Sequence, residues 1–148
     1  MKNKTILLVE DNADDEALIL RALNKNRMAD TIFVAHDGVE ALDYLLCKNV
    51  HTGRDPHDLP RLTLLDIGLP KVDGLEVLRR LRAQERTRLL PIVLFSSSNE
   101  KQDLIEGYRS GANSYLRKPV DFAQLVELIR QIGSYWLGLN EAPPYYAG

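Results

Sequence analysis

Lys4-Thr5-Ile6-Leu7-Leu8-Val9-Glu10-Asp11-Asn12 decides the fold. Its unbroken apolar run reads as a strand buried on both faces, which a parallel sheet covered by helices on each side provides. The run stops at two acids, so charge gathers where that strand ends. Working outward, the same unit recurs. Further strands are expected at residues 31–35, at 62–65 ending in Asp66, at 91–95 followed by Ser96-Ser97-Ser98-Asn99, and at 114–117. Segments of helical period alternate with them. Residues 12–24 carry Ala13, Ala17 and Leu20 at helical spacing, with Leu18, Ile19, Ala22 and Leu23 widening the buried face. Asp37 opens a second helix, with Glu40 as its capping-box partner and Val39, Leu42, Leu45 and Leu46 as its inward stripe. The turn Leu69-Pro70-Lys71-Val72-Asp73-Gly74 leads into a third, facing inward through Leu75, Leu78 and Leu81. A fourth spans about 100–110 and is stopped by Gly111. The fifth is capped by Asp121 with Gln124, stapled by Val120 against Leu125, and buried through Phe122, Leu125, Leu128, Ile129 and Ile132 toward Trp136. Five strands alternating with five helices make an α/β protein with a doubly wound, five-stranded parallel sheet.

The chain has 148 residues, enough for one domain and no second module. Hydrophobic residues at 45% and charged residues at 27% exclude disordered and collagen-like classes. A formal charge of -2 excludes a general nucleic-acid binder. The single cysteine, Cys47, excludes an internal disulfide and a thiolate metal site, and fits a reducing compartment. No apolar run approaches the ~20 residues that span a bilayer, so no membrane association is expected and the cytoplasm is the expected location. Residues 48–60 read as a long surface loop, and residues 140–148 as an irregular end.

In an open α/β sheet the chemistry lies beyond the carboxyl ends of the strands. Here those ends carry Glu10-Asp11, Asp66, Ser96 and Lys118. Three carboxylates in one cleft repel one another unless a cation neutralises them, and all-oxygen donors indicate a hard ion, Mg²⁺ in particular. Asp66 could then attack phosphorus as a carboxylate nucleophile, with Ser96 donating to a phosphoryl oxygen and Lys118 holding it as a point charge.

Four motifs in order carry a resemblance. These are Leu8-Val9-Glu10-Asp11-Asn12; Asp66 with Pro70 and Asp73-Gly74; the run from Pro91 to Ser97; and Gly111-Ala112-Asn113-Ser114-Tyr115-Leu116-Arg117-Lys118-Pro119. The chain resembles the receiver domain of bacterial two-component response regulators over about residues 4–132, with 133–148 left as a C-terminal extension. The resemblance implies a flavodoxin-like sheet of order 2-1-3-4-5 in a single receiver domain, 1–148. It makes Asp66 the phosphoacceptor, and Asp11, Asp66 and the backbone carbonyl of Gly68 ligands of Mg²⁺, with Glu10 acting through water. Ser96 and Lys118 would read the phosphoryl group, Tyr115 would be the switch aromatic, and the Lys118–Pro119 bond would be cis. The implied partner is a sensor histidine kinase, and the implied role a phosphorylated switch, not a metabolic enzyme, with output through protein contacts or phosphorelay. The long loop and Trp136-Leu137 also resemble the small regulators that partner bacterial and cyanobacterial phytochromes. Glu10 departs from the frequent Asp. Gly68 and Ser98, two residues past Asp66 and Ser96, are small and would leave an acyl phosphate open to water.

Other features read more plainly. Asp14 and Asp15 suit the helix dipole of a first turn. His36, His51 and His57 read as solvated loop residues, Cys47 as a small hydrophobe, and Arg79, Arg80, Arg82, Arg86 and Arg88 as a solvated face. Tyr135, Trp136, Tyr145 and Tyr146 either pack back onto the fifth helix or form a docking or homodimer surface; helix four, strand five and helix five offer another. Three rival classes fit less well. An acyl-phosphate phosphatase needs a second acid where Gly68 stands, a flavin domain needs a Gly/Ser/Thr loop after strand one, and a degenerate interaction module does not need the intact constellation.

Overall fold

In the computed structural model, which describes residues 4–27 and 29–144, one parallel sheet runs in the order β2-β1-β3-β4-β5. The strands are β1 Thr5–Val9, β2 Thr31–Ala35, β3 Leu62–Leu65, β4 Ile92–Ser96 and β5 Ser114–Arg117. The helices are α1 Ala13–Asn26, α2 Gly38–Leu46, α3 Gly74–Arg82, α4 Lys101–Arg109 and α5 Phe122–Gly133. The doubly wound arrangement and its order are those expected. β4 begins one residue late because Pro91 has no N–H to give the ladder; its carbonyl instead accepts from Thr63 N at 3.1 Å.

Alternation along the strands divides the core in two. Leu7, Val9, Leu65, Ile92 and Leu94 meet α2 and α3, whereas Ile6, Leu8, Leu62, Leu64, Val93 and Phe95 meet α1 and α5. Each such side chain, fully buried, stabilises the fold by about 1.5–3 kcal/mol against the entropy of ordering it. Four helices start on a side-chain cap: Asn12, Asp37, Asp73 and Asp121 accept from the N–H of Asp15, Glu40, Glu76 and Gln124, at about 1 kcal/mol each. The fourth helix is different. Ser98 Oγ accepts from Glu100 N at 3.2 Å and donates to Asp103 Oδ2 at 2.6 Å.

Several expectations need correcting. α1 buries Ile19, Ala22 and Leu23, while Ala13, Ala17 and Leu18 face solvent, because helical phase is fixed by contact with α5. Val39 is exposed on α2. Val120 is fully exposed, so no staple forms against the buried Leu125; the extended chain entering α5 points it outward. The arginines do not share one solvated face. Arg82 donates to the carbonyls of Gly111, Leu90, Thr87 and Arg88 and to Asn113 Oδ1, tying the α3–β4 and α4–β5 loops together.

The loop from Lys48 to Pro60 is packed, not loose. It contains a short helical turn, Asn49–His51, and the Arg54 guanidinium lies 3.7 Å from the Tyr44 ring centroid. Tyr44 in turn stacks on Phe33 at 4.1 Å. His51, expected to be solvated, is half-buried with its edge against both rings. His36 is exposed but spans α1 and α2, with Nε2 3.0 Å from Glu16 Oε1 and its backbone N–H on Glu40 Oε1 at 2.8 Å.

α5 continues into a wider, π-type turn, Ser134–Leu139. Arg61 donates to the carbonyls of Trp136 and Asn140 there, and Leu137 is buried against the α1–α5 core. Trp136 and Leu137 therefore pack back onto the domain, while Tyr145 and Tyr146 lie outside the described residues. Among the described residues, no helix is long and apolar enough to cross a membrane.

Candidate functional site

Register brings the expected residues together. Val9 pairs with Leu65 across β1 and β3, so Glu10 and Asp66 leave the sheet at one level, with Asp66 N on Val9 O at 3.1 Å. At the other side of the cleft Lys118 N bonds Ser96 O at 2.9 Å. Carboxylate oxygens of Glu10, Asp11 and Asp66 lie within 4.8 Å of one another. Lys118 closes the group, its Nζ 2.6 Å from Glu10 Oε1, 3.2 Å from Asp66 Oδ2 and 3.0 Å from Asp15 Oδ2. One ammonium is set against three carboxylates, with Asp11 a fourth in the cluster. The all-oxygen donor set suits a hard divalent cation, and the surplus of negative charge calls for one.

The backbone fixes Asp66 closely. Its Oδ1 accepts from Ile67 N at 2.8 Å, leaving Oδ2 toward Lys118 and the cleft. Gly74 opens α3 directly against this turn. A Cβ there would fall 2.1 Å from Asp66 O, and Gly74 N donates to Ile67 O at 2.8 Å. Gly38 does the same from α2, where a Cβ would fall 1.8 Å from Val72 O. The Asp66 loop is thus held between two helix starts that only glycine permits to come so near. Within that loop Lys71 adopts a left-handed conformation, φ 69°, with its ammonium 3.3 Å from Asp37 Oδ2.

Burial pushes the Glu10 carboxyl up to about 7, and the charge of Asp66 adds to this, against the hydrogen bonds from Lys118 and Asn12 N. Burial alone would lower Lys118; its hydrogen bond to Glu10 and the charges of Asp66 and Glu10 more than reverse that and hold it above its ordinary value. Glu10 ionises at higher pH in the fold than in the unfolded chain, so its contribution falls as pH rises from about 4.5 to 7 and stays low above. Glu10→Gln is therefore expected to stabilise the protein by up to about 3 kcal/mol at pH 8 and by little at pH 4.5. Urea unfolding of both proteins across that range checks it, and an offset that does not grow with pH contradicts it.

Ser96 is buried at the end of β4, and its Oγ accepts from Ser98 N at 3.1 Å; Ser97 is exposed. Tyr115 is half-buried, its hydroxyl donating to Ser98 O at 3.2 Å. Gly107 makes room for that ring, since a Cβ there would lie 3.2 Å from Tyr115 Cδ2. Gly68 is exposed, and a Cβ on it would meet nothing within 4 Å. The expected cis bond before Pro119 is not found: no peptide among the described residues is cis. Trans is the lower-energy isomer of an X–Pro bond, and with it Lys118 still reaches all three of its acids.

A model of the response regulator receiver domain family matches residues 6–130. The chain belongs to that family. The receiver is 44% identical over 138 residues to the probable methanogenesis regulatory protein FilR2 of Methanothrix harundinacea, covering 93% of this chain and 86% of that one. It is 31% identical over 134 residues to the response regulator Rcp1 of Synechocystis, covering 90% and 89%. The Mn²⁺-bound form of Rcp1 superposes with a TM-score of 0.85 over 95% of this chain and 99% of that one. The phosphorylated cyanobacterial phytochrome response regulator RcpA superposes with a TM-score of 0.88 at 32% identity, over 96% and 99%. The Rcp1 structure thus holds a divalent metal, and the acidic cluster of this receiver offers a donor set of hard-cation chemistry.

One site residue escaped the sequence reading. Asp15 was read as a dipole residue, yet it bonds Lys118. The signal lay in helical phase: Asp15 is four residues before Ile19, which is buried, so it sits on the inward stripe of α1. Centring that stripe on Ala13, Ala17 and Leu20, with Ile19 only widening it, turned Asp15 outward.

Proposed function

We propose that this receiver takes a phosphoryl group from the phosphohistidine of a sensor kinase onto Asp66, with Mg²⁺, and acts as a switch and not as a metabolic enzyme. The observation that carries it is Asp66, nearly enclosed, with one oxygen held by Ile67 N and the other turned to Lys118 beside the Glu10–Asp11 pair. Asp11 and Asp66, with Glu10 and the backbone carbonyl of Gly68, would hold the cation, whose charge would offset that gathering on the phosphoryl oxygens. Asp66 attacks phosphorus, the P–O bond forms as the P–N bond breaks, and the departing imidazole nitrogen keeps the electron pair and takes its proton from solvent. Lys118 and the Ser96 hydroxyl then face the new acyl phosphate. Tyr115, already half inside, would follow as Ser96 draws in, altering the face of α4, β5 and α5. To move such a pair of states from 1:99 to 99:1, the phosphoryl group must favour the active one by about 5.5 kcal/mol.

Exposed Leu104, Ile105 and Tyr108 on α4 give that face an apolar surface for a target or a second copy. Ala17 and Leu18 on α1 and Val120, two residues past Lys118, are exposed apolar positions that could serve kinase docking. The likeness to RcpA, and to the bacteriophytochrome response regulator AtBRR at 45% identity over 95% of this chain, supports a phytochrome kinase as donor, while the 44% identity to FilR2 supports a kinase of another signal. Mg²⁺-dependent transfer from a panel of autophosphorylated kinases, one of them a phytochrome, tests both. Fastest transfer from the phytochrome supports the first reading and fastest transfer from another kinase the second; no transfer from any contradicts the receiver role.

Hydrolysis of the acyl phosphate should respond to bulk at Gly68, where space is open. Gly68→Leu is expected to lengthen its lifetime several-fold by screening the phosphoryl group from water, read by loss of label over time. An unchanged lifetime contradicts that. Ser98 is the poorer place to test it, because its hydroxyl also ties the start of α4.

A further inference from the structure

Lys118 shares its ammonium among three acids, and only two of them belong to the cation cluster. Glu10 and Asp66 do; Asp15 does not. A divalent ion and the ammonium therefore draw on the same Glu10 and Asp66 carboxylates, and two cations at that range repel each other. The ammonium cannot simply retreat to water, because the Lys118 side chain is 9% exposed, and a buried charge stripped of partners is costly. Asp15 is built to receive it. Its side chain is 39% exposed, 3.0 Å from Lys118 Nζ, and its backbone is fixed by the N–H bond to Asn12 Oδ1 at 2.9 Å in the first turn of α1.

We propose that Asp15 is a positioning residue: it seats the Lys118 ammonium while Glu10 and Asp66 turn to the divalent cation, and so raises the affinity for that cation without being a ligand. The proposal rests on reading the cleft as a divalent-cation site. Asp15 acts through Lys118, so its effect must vanish when Lys118 carries no charge. A nearby negative charge acting directly on the cation would persist.

Isothermal titration of the full chain with Mg²⁺ separates these. Asp15→Asn is expected to weaken binding about fivefold, and Asp15→Glu to restore most of it. In a Lys118→Met background, Asp15→Asn should change affinity less than about twofold. Thermal melts of each variant confirm that the fold is kept. Equal weakening in both backgrounds overturns the proposal in favour of plain charge attraction, and unchanged affinity in Asp15→Asn overturns it outright. If the unmutated protein binds no Mg²⁺, the reading of the cleft falls and this proposal with it.

Discussion

Asp66→Asn is expected to take up no phosphoryl group from a small phosphodonor and Mg²⁺, while the unmutated protein gains one unit in intact mass. Asn keeps the size of the side chain and an Oδ1 that can still accept from Ile67 N, the bond that orients residue 66. It removes the ionised oxygen that attacks phosphorus, and a neutral amide is no substitute as a nucleophile. The fold should not suffer. Lys118 retains Glu10 and Asp15 as partners, and the charge of Asp66, one cause of the raised Glu10 carboxyl, is gone. Asp66→Asn should therefore melt at or slightly above the unmutated temperature, so lost uptake cannot be ascribed to unfolding. A gain of mass in both proteins, or in neither, overturns Asp66 as acceptor. Chelation of the cation should abolish the gain in the unmutated protein as completely as the substitution does.

The layout of the sheet was readable because strand burial on both faces leaves runs such as Ile6-Leu7-Leu8-Val9 with no other use. The site was readable for a related reason: ionisable residues at the ends of such runs have no role in a core, and Glu10, Asp66 and Lys118 meet as expected. Rotation of a helix about its axis was harder. α1 has apolar residues on more than one side, and contact with α5, not composition, selects Ile19 and Ala22 over Ala17 and Leu18. Asp15 was missed for that reason. The packed loop of Arg54, Tyr44, His51 and Phe33 was illegible because it joins residues of different elements by ring stacking, which leaves no period in the sequence. Asp73-Gly74 was visible as turn chemistry and Asp37 as a helix cap, yet the reason for the glycine after each aspartate lies across space.

That reason makes Gly74→Ala the most damaging small substitution expected near the site. The added Cβ would stand 2.1 Å from Asp66 O and 2.8 Å from Ile67 Cα, and both are backbone atoms that cannot rotate aside. Either α3 withdraws, opening the core around Val77 and Leu78, or the Asp66 turn moves. The cost should be about 2–4 kcal/mol, a fall in melting temperature of roughly 5–15 °C for a domain of this size. Phosphoryl uptake should fall with it, because the displaced atoms carry the acceptor. Gly38→Ala presses on Val72 O instead, on the far arm of the same loop, so it should lose comparable stability but less uptake. Gly53→Ala, where a Cβ meets nothing within 4 Å, supplies the neutral reference. If Gly74→Ala melts with Gly53→Ala and takes up phosphoryl groups as fast, the close seat of α3 on Asp66 is not what holds the acceptor in place.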